Sequence, residues 1–157
     1  LPDVDPTRWQ VVTRQLLADG PDGAGEDERA LLLSEVQKVL ERPSLMPLFS
    51  ADALSEVPVS ANLDLLDGKR IHGVIDRLIL SDDKVLAVDF KTNAMVPEKV
   101  TDCPDGLLRQ MGAYAHALGQ IYPSHQIETA FLWTRTARFM PLPHDLVTEA
   151  LRGTYIA

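Results

Sequence analysis

The amino-acid sequence predicts an α/β fold in which helices flank a central mixed β-sheet. Segments 71–80 and 85–91 are apolar and rich in β-branched residues, and the polar turn at 81–83 between them is typical of two paired strands. A helical spacing of apolar residues occurs both upstream of these strands and downstream, at 106–121. Another strand-like segment follows at 126–134, so strands and helices alternate as in α/β domains.

Two helices are predicted before the first strand. Asp5 and Pro6 suit the N-cap and the first position of a helix. A glycine-rich loop at 20–25 separates this helix from a second one at about 26–41, and a proline ends the second helix. The predicted buried residues are Trp9, Val12, Leu16 and Leu17 in the first helix and Leu32, Val36, Val39 and Leu40 in the second.

Strands at 55–63, 71–80 and 85–91 are predicted to form an antiparallel meander. Asp67-Gly68 is a strong hairpin signal between the first two of them. The remaining elements are, in order, an irregular loop at 94–105, a helix at 106–121, a strand at 126–134, a basic turn at 135–138, a short strand at 139–140 and a closing helix at 145–155.

Composition and charge restrict the functional classes. A chain of 157 residues suits one domain with a moderate core, and no apolar run approaches the roughly 20 residues of a membrane span. The single cysteine, Cys103, excludes an intrachain disulfide and any multi-cysteine metal site. With no signal-peptide pattern at the N-terminus, this predicts a cytoplasmic protein.

The distribution of charge bears on DNA binding. The net charge of −8 argues against a free-standing DNA-binding module, which is usually basic. Residues 1–68 carry 13 acidic and 5 basic residues, whereas residues 69–138 carry 8 and 9. The acidity therefore lies outside the candidate site, and a domain tethered to a larger assembly need not capture DNA by its own charge.

Two carboxylates and a lysine mark the candidate site. Asp76 and Asp89 lie inside apolar strand segments, where a bare buried carboxylate is costly unless it is paired or binds a metal. Lys91 lies two residues after Asp89 and therefore shares its face of the strand. Such a group suits a hard cation beside a phosphate. The simpler interpretation is an ordinary Asp89–Lys91 ion pair and an Asp76–Arg77 charge pair.

The motifs around these residues resemble the nuclease domain of the RecB family, within the PD-(D/E)xK superfamily. The resemblance is carried by GVIDRL at 73–78, VLAVDFKTN at 85–93, SEVPV at 55–59 and RQMGAYAHAL at 109–118. Four motifs in this order make it specific, although any one alone is weak. The resemblance implies a restriction-endonuclease-like core, with a central mixed β-sheet flanked by helices, and a metal-dependent deoxyribonuclease.

The resemblance also implies the catalytic roles. Asp76 and Asp89 would bind Mg²⁺ or Mn²⁺, with the backbone carbonyl of Phe90 as a third oxygen ligand. Lys91 would stabilise the charge that develops on the phosphate or orient the attacking water.

Supporting roles are implied for Glu56, Gln110 and Tyr114, which would border the catalytic site and place DNA or water. From the sequence alone, Glu56 is equally well a solvent-facing strand residue. Gln110 and Tyr114 are four residues apart, so they share one stripe of the predicted helix, where they would otherwise be half-buried polar residues.

Within the family, the motifs are most similar to the C-terminal nuclease domain of AddA-type helicase–nucleases. This implies an exonuclease acting on single-stranded DNA or duplex ends in double-strand-break processing and recombinational repair. The implied partners are an AddB-like protein and helicase domains of the same full-length chain. We expect 1–157 to be a single nuclease domain of that larger protein, with a helical part at 1–54, a catalytic core at 55–140 and a helical segment at 141–157. No G-x-x-x-x-G-K-[ST] motif occurs, so the ATPase is not expected in this sequence.

The family's metal-binding histidine is not recognisable in this sequence, and this keeps other hypotheses open. RecB-like nucleases usually carry a metal-binding histidine in a G-x-x-x-H-like motif upstream of the strands; none stands before Asp5, and we expect it further upstream. The histidines present show no ligand spacing: His72, His116, His125 and His144. A second hypothesis is therefore a catalytically silent module that holds a partner protein or a DNA end. A third is a site-specific endonuclease of the same superfamily, although the helix with Gln110 and Tyr114 fits the RecB branch better.

Overall fold

The computed structural model describes residues 3–18 and 25–153. Within those ranges the chain builds a mixed sheet from five strands that lie side by side in chain order: β1 (Leu54–Leu63), β2 (Lys69–Leu80), β3 (Lys84–Lys91), β4 (Gln126–Trp133) and β5 (Arg138–Leu142). β3 and β4 are parallel, and the other neighbouring strands are antiparallel. The predicted α/β fold with a mixed sheet is confirmed.

The α-helices in the described ranges are α1 (Trp9–Ala18), α2 (Glu26–Leu40), α3 (Asp105–Ile121) and α4 (His144–Arg152). α3 connects β3 to β4, as a parallel pair requires. The predicted loop at 20–25 lies outside the described residues except for Gly25, as do the side chain of Leu17 and the predicted helix end at 154–155. Among the described helices, none has the length and apolar character needed to cross a membrane.

Both faces of the central strands are buried. Val85 and Ala87 of β3 and Phe131 of β4 belong to the core that α3 and α4 cover. Their sequence neighbours point to the opposite face, where α2 and the short helical segment Pro43–Phe49 cover them. This alternation explains why both strands read as continuous apolar runs.

Two predicted core positions are exposed. Leu16 of α1 is 69% exposed and Leu32 of α2 is 39% exposed, so these predictions are wrong. α2 buries its C-terminal residues Val39 and Leu40. Leu32 lies nearer the N-terminus of α2, and it lines an open groove together with Phe49. Helical periodicity identified the correct stripe of α2 but could not show how far along the helix the sheet extends.

Candidate active site

The two predicted carboxylates lie where the β2–β3 ladder ends. Its last registered pair is Arg77 with Val88, so the next position places Asp76 opposite Asp89. There, Asp76 Oδ2 accepts a hydrogen bond of 2.6 Å from the backbone N–H of Phe90. The Asp76 side chain therefore takes the place of a backbone hydrogen-bond acceptor at this point, and it holds the end of β3 beside β2. Asp89 is 5% exposed, and Asp76 is half-buried.

Lys91 joins this pair from the last position of β3. Its Nζ lies 2.6 Å from Asp89 Oδ2 and donates a hydrogen bond of 3.3 Å to Gln110 Oε1 on α3. The ammonium also lies 5.5 Å from the centre of the Phe131 ring, within range of a cation–π contact. A lysine ammonium has three donors. The bonds to Asp89 and Gln110 engage two of these donors, which leaves one for an incoming anion.

The helix residues complete a chain of hydrogen bonds. Gln110 Nε2 donates to Tyr114 Oη at 3.1 Å, and the Tyr114 hydroxyl donates to the backbone carbonyl of Val74 at 3.0 Å. The spacing of four residues on α3 is what brings the two side chains together. These hydrogen bonds link α3 to β2 and to Lys91, so they restrict the position of the Lys91 ammonium.

Gly73 is a residue of the site that the sequence interpretation missed. A Cβ atom at this position would lie 2.6 Å from the Tyr114 hydroxyl and 2.6 Å from a ring carbon. The absence of a side chain lets the Tyr114 ring lie against β2 and reach the Val74 carbonyl. The signal was present in the sequence, as a glycine three residues before Asp76 inside the GVIDRL motif.

Gly73→Ala is expected to lower the free energy of unfolding by about 1–3 kcal/mol, because the added methyl group displaces a buried aromatic ring. The measurement is urea unfolding of both proteins. Gly106→Ala is the matched control, since no atom lies within 4 Å of its Cβ position. Gly106 lies in the first turn of α3, where alanine favours the helix. Equal stabilities for the two variants would contradict the packing of Tyr114 described above.

Glu56 has an unusual backbone conformation and an exposed side chain. Its φ of 51° lies in the left-handed region, which is uncommon for a non-glycine residue. The β1–β2 register places it opposite Asp76, between the registered pairs of Ser55 and Val57. Its side chain is exposed, and no hydrogen bond or ion pair of the described residues joins it to Asp76 or Asp89.

The strand alternation also changes next to Asp76. Ile75 and Leu78 are three residues apart and belong to the same core, although strict alternation would place them on opposite faces. The unusual Glu56 backbone lies across from this irregularity. The two strands are therefore distorted at the position that carries Asp76.

Burial raises the pKa of the Asp89 carboxyl above its ordinary value; the ion pair with Lys91 opposes this effect, and the nearby Asp76 carboxylate adds to it. The folded protein consequently binds the Asp89 proton more tightly than the unfolded chain does. The contribution of this group to stability is largest in acid, and it is lost as the pH rises through the folded-state pKa. At neutral pH the charged Asp89 makes the metal-free fold less stable.

Asp89→Asn is therefore expected to leave the free energy of unfolding unchanged or to raise it at pH 7 without metal. The difference in stability between the variant and the wild type should shrink as the pH falls, because the protonated wild-type carboxyl is then neutral, as the amide is. Urea unfolding in EDTA across a pH series measures this, with Asp82→Asn in the exposed turn as the control. A loss of several kcal/mol at pH 7 would instead indicate that the ion pair with Lys91 stabilises the fold by more than the burial of the Asp89 charge costs.

The donor set suits a cation that retains water. Within the described residues there is no group of three or more His, Cys, Asp or Glu side chains able to hold a metal. The contacts described above engage Oδ2 of Asp76 and of Asp89, and they leave Oδ1 of each available to a cation. Mg²⁺ is commonly bound through one or two carboxylates while it keeps several waters. Two acids with an adjacent backbone carbonyl fit that requirement.

The four histidines lie apart from this group. His72 pairs across the β1–β2 hairpin with Ser60, and His144 begins α4. His116 Nε2 and His125 Nδ1 are buried without a hydrogen-bond partner among the described residues. None of these histidines contributes to the site around Asp76.

A mixed sheet flanked by helices, with two carboxylates and a lysine where the pairing of two adjacent strands ends, is the arrangement of a restriction-endonuclease-like domain. The sequence profile of the PD-(D/E)XK nuclease superfamily matches residues 5–148. The chain therefore belongs to the PD-(D/E)XK nuclease superfamily, as the four motifs indicated.

Individual relatives show weaker similarity. Over 58 residues, 37% of this chain, it is 33% identical to one component of the ATP-dependent helicase/nuclease of Oenococcus oeni. The matched region is 5% of that relative's length. A protein described as SSO0001, with a known crystal structure, is 14% identical, and the alignment covers 92% of this chain and 68% of that one with a TM-score of 0.35. That structural likeness is too low to bear on function.

Proposed function

We propose that the chain is the nuclease domain of a helicase–nuclease and hydrolyses DNA phosphodiester bonds with the help of Mg²⁺ or Mn²⁺. The observation that supports this most is the placement of Asp76, Asp89 and Lys91 within one cluster, where the pairing of β2 with β3 ends. Asp76, Asp89 and the carbonyl of Phe90 would hold the ion. When bound, such an ion activates a water molecule and polarises the phosphate.

The residues of the chain position the reacting groups. Asp89 and Gln110 hold the Lys91 ammonium through two of its donors. The remaining N–H would donate to a non-bridging phosphate oxygen, where negative charge increases in the transition state. Tyr114 fixes Gln110 and thereby limits the positions open to Lys91. Its effect on catalysis is therefore exerted through Lys91.

Glu56 is a supporting residue in this proposal. Its side chain is exposed and lies across the strand pair from Asp76. An exposed carboxylate in a strained backbone position suits a residue that orients water or DNA when substrate is present.

The wider role is double-strand-break processing and recombinational repair by a cytoplasmic complex, with an AddB-like partner and helicase domains in the same chain. The similarity to a helicase/nuclease component supports this proposal. In such an assembly, 1–157 forms one domain with its catalytic core at 55–140, and the partners supply the positive charge that captures DNA. Exonuclease action at single-stranded or duplex ends follows if the helicase delivers the strand to this site.

The test is degradation of end-labelled single-stranded and duplex DNA by the full-length protein with its partner, with ATP and with Mg²⁺ or Mn²⁺. Metal-dependent release of short products supports the nuclease, and release from DNA ends alone supports exonuclease action. If no DNA is cut with any metal although DNA or the partner is bound, the catalytically silent scaffold is the correct function. Cleavage of closed circular DNA at fixed positions would support a site-specific endonuclease.

A further inference from the structure

The residues that directly follow the two candidate metal-binding carboxylates lie on the α2 side of the sheet. Phe90 follows Asp89 and packs against the core that α2 covers, to which Val88 also belongs. Arg77 follows Asp76 and is the register partner of Val88, so it shares that face of the sheet. The α2 side therefore supports the candidate metal site from behind, on both of its strands.

Phe49 contacts both of these residues. The centre of its ring lies 6.1 Å from the centre of the Phe90 ring, and the two ring planes are inclined by 50°. Aromatic pairs at such a separation and tilt attract each other beyond the effect of burial. The Cζ atom of Arg77 lies 5.5 Å from the centre of the Phe49 ring, within range of a cation–π contact. One side chain thus touches the neighbour of each carboxylate.

The position of Phe49 is fixed by its own segment. Phe49 is the last residue of the short helical segment Pro43–Phe49. Leu45 and Leu48 of that segment are 1% and 3% exposed, and both belong to the core on the α2 side. Closely packed side chains of this kind allow little movement. Phe49 is therefore a firm support for the residues that it touches.

Contacts from two directions meet at Phe90. Asp76 accepts the hydrogen bond of 2.6 Å from the Phe90 N–H, and Phe49 contacts the Phe90 ring. In an extended strand the N–H and the C=O of one residue point to the same edge, so the Phe90 carbonyl also faces β2, beyond the last registered pair of the ladder. This carbonyl is the third oxygen ligand in the proposed function. The two contacts together restrict its direction.

The contact with Phe49 takes the place of the Asp76–Arg77 charge pair that the simpler interpretation of the sequence suggested. The Arg77 side chain is half-buried, and no ion pair within the described ranges involves its guanidinium. The ring of Phe49 is therefore what holds the guanidinium in place. Through this contact Phe49 also restrains β2 directly after Asp76.

We propose that Phe49 is a positioning residue of the candidate metal site: through Phe90 and Arg77 it holds the Phe90 carbonyl and the Asp76 carboxylate where one Mg²⁺ or Mn²⁺ ion can bind both. This inference rests on the proposed function. Mg²⁺ requires a nearly ideal octahedral geometry, so a small displacement of one oxygen ligand weakens its binding. Phe49 touches neither ligand atom, and its effect is exerted through the two residues that it contacts.

The first experiment measures Mn²⁺ binding to the full-length protein by isothermal titration, without DNA or nucleotide. The site is identified as the part of the signal that Asp89→Ala removes. Phe49→Leu keeps an apolar side chain but loses both ring contacts, so the Kd of this site should rise about 10-fold. Phe49→Tyr keeps the ring and should restore the affinity. A wild-type Kd in folded Phe49→Leu would overturn the proposal.

Phe139→Leu is the matched control. Phe139 is half-buried, as Phe49 is, and it packs against the same core, but it lies on β5, which is separated from β3 by β4. Both leucine variants should lower the free energy of unfolding in EDTA, because each removes aromatic packing. Only Phe49→Leu should raise the Kd for Mn²⁺. An equal rise in both variants would mean that metal binding follows overall stability, and the positioning role would be rejected.

A double-mutant cycle tests the contact between Arg77 and Phe49. Arg77 borders the open groove, where methionine can replace it with a side chain of similar length and no charge. Arg77→Met should raise the Kd for Mn²⁺ about 3-fold. The same change should have little effect in Phe49→Leu, because the ring through which Arg77 acts is already absent. Equal effects in the two backgrounds would overturn the path from Arg77 through Phe49.

The outcomes separate the two proposals. If the wild-type protein shows no Mn²⁺ binding that depends on Asp89 and cuts no DNA, both the nuclease function and the positioning role are rejected. If it binds Mn²⁺ and cuts DNA while Phe49→Leu and Arg77→Met keep the wild-type Kd, only the positioning role is rejected. If it binds Mn²⁺ without cutting DNA, the nuclease function is rejected and the Kd values still decide the positioning role. If Phe49→Leu does not fold, the Kd of Arg77→Met decides.

Discussion

Lys91→Ala is expected to reduce the rate of DNA cleavage by about 10²–10³, with metal binding and DNA binding retained. This is the usual loss when one preorganised donor to a developing charge is removed. The structure gives the reason for expecting an effect on the rate, because Asp89 and Gln110 hold the ammonium in place and leave one donor free. The measurement is single-turnover degradation of labelled DNA by the full-length protein, with Mg²⁺ and ATP.

Two further lysine variants make the result specific. Lys84→Ala is the matched control, since Lys84 begins the same strand and forms an exposed ion pair of 2.9 Å with Glu128. Exposed pairs contribute little to stability, and this one lies at the opposite end of β3. Lys91→Arg should also be slow, because a planar guanidinium cannot take the same position between Asp89 and Gln110. If Lys91→Ala cuts as fast as wild type, the role of Lys91 is wrong although the nuclease function survives.

Asp89→Ala is expected to abolish Mn²⁺ binding in isothermal titration, and with it metal-dependent cleavage. The carboxylate lies at the end of the ladder, where it would share the ion with Asp76. The loss of cleavage should be at least as large as for Lys91→Ala, about 10²–10³ or more. Unchanged Mn²⁺ binding would remove Asp89 from the metal site.

Asp76→Asn distinguishes metal binding from structure at the other acid. An asparagine can still accept the hydrogen bond from the Phe90 N–H, so the junction of β2 and β3 should persist. Its neutral oxygen is a weaker ligand for a hard cation, so Mn²⁺ affinity should fall while the free energy of unfolding changes little. Asp82→Ala in the exposed turn controls for a general change of surface charge.

Much of the fold and part of the site could be predicted from local patterns. The alternation of β3 gave the shared face of Asp89 and Lys91, and the helical spacing of α3 gave the shared stripe of Gln110 and Tyr114. Both patterns depend on fixed geometric periods of two residues in a strand and 3.6 residues in a helix. A mixed sheet was predicted as well, whereas the structure showed which neighbours are parallel: β3 and β4, which α3 connects.

The sequence by itself therefore determined the α/β class, the order of the elements, the superfamily and the faces on which the acidic and basic residues lie. Tertiary structure alone decided which distant atoms meet: Asp76 replaces the ladder at Phe90, and Gly73 leaves room for the Tyr114 ring. It also decided that Leu32 stays exposed and that Glu56 takes a left-handed backbone. The physical reason is that periodicity acts within one element, whereas these features depend on where a neighbouring element ends and how closely it packs.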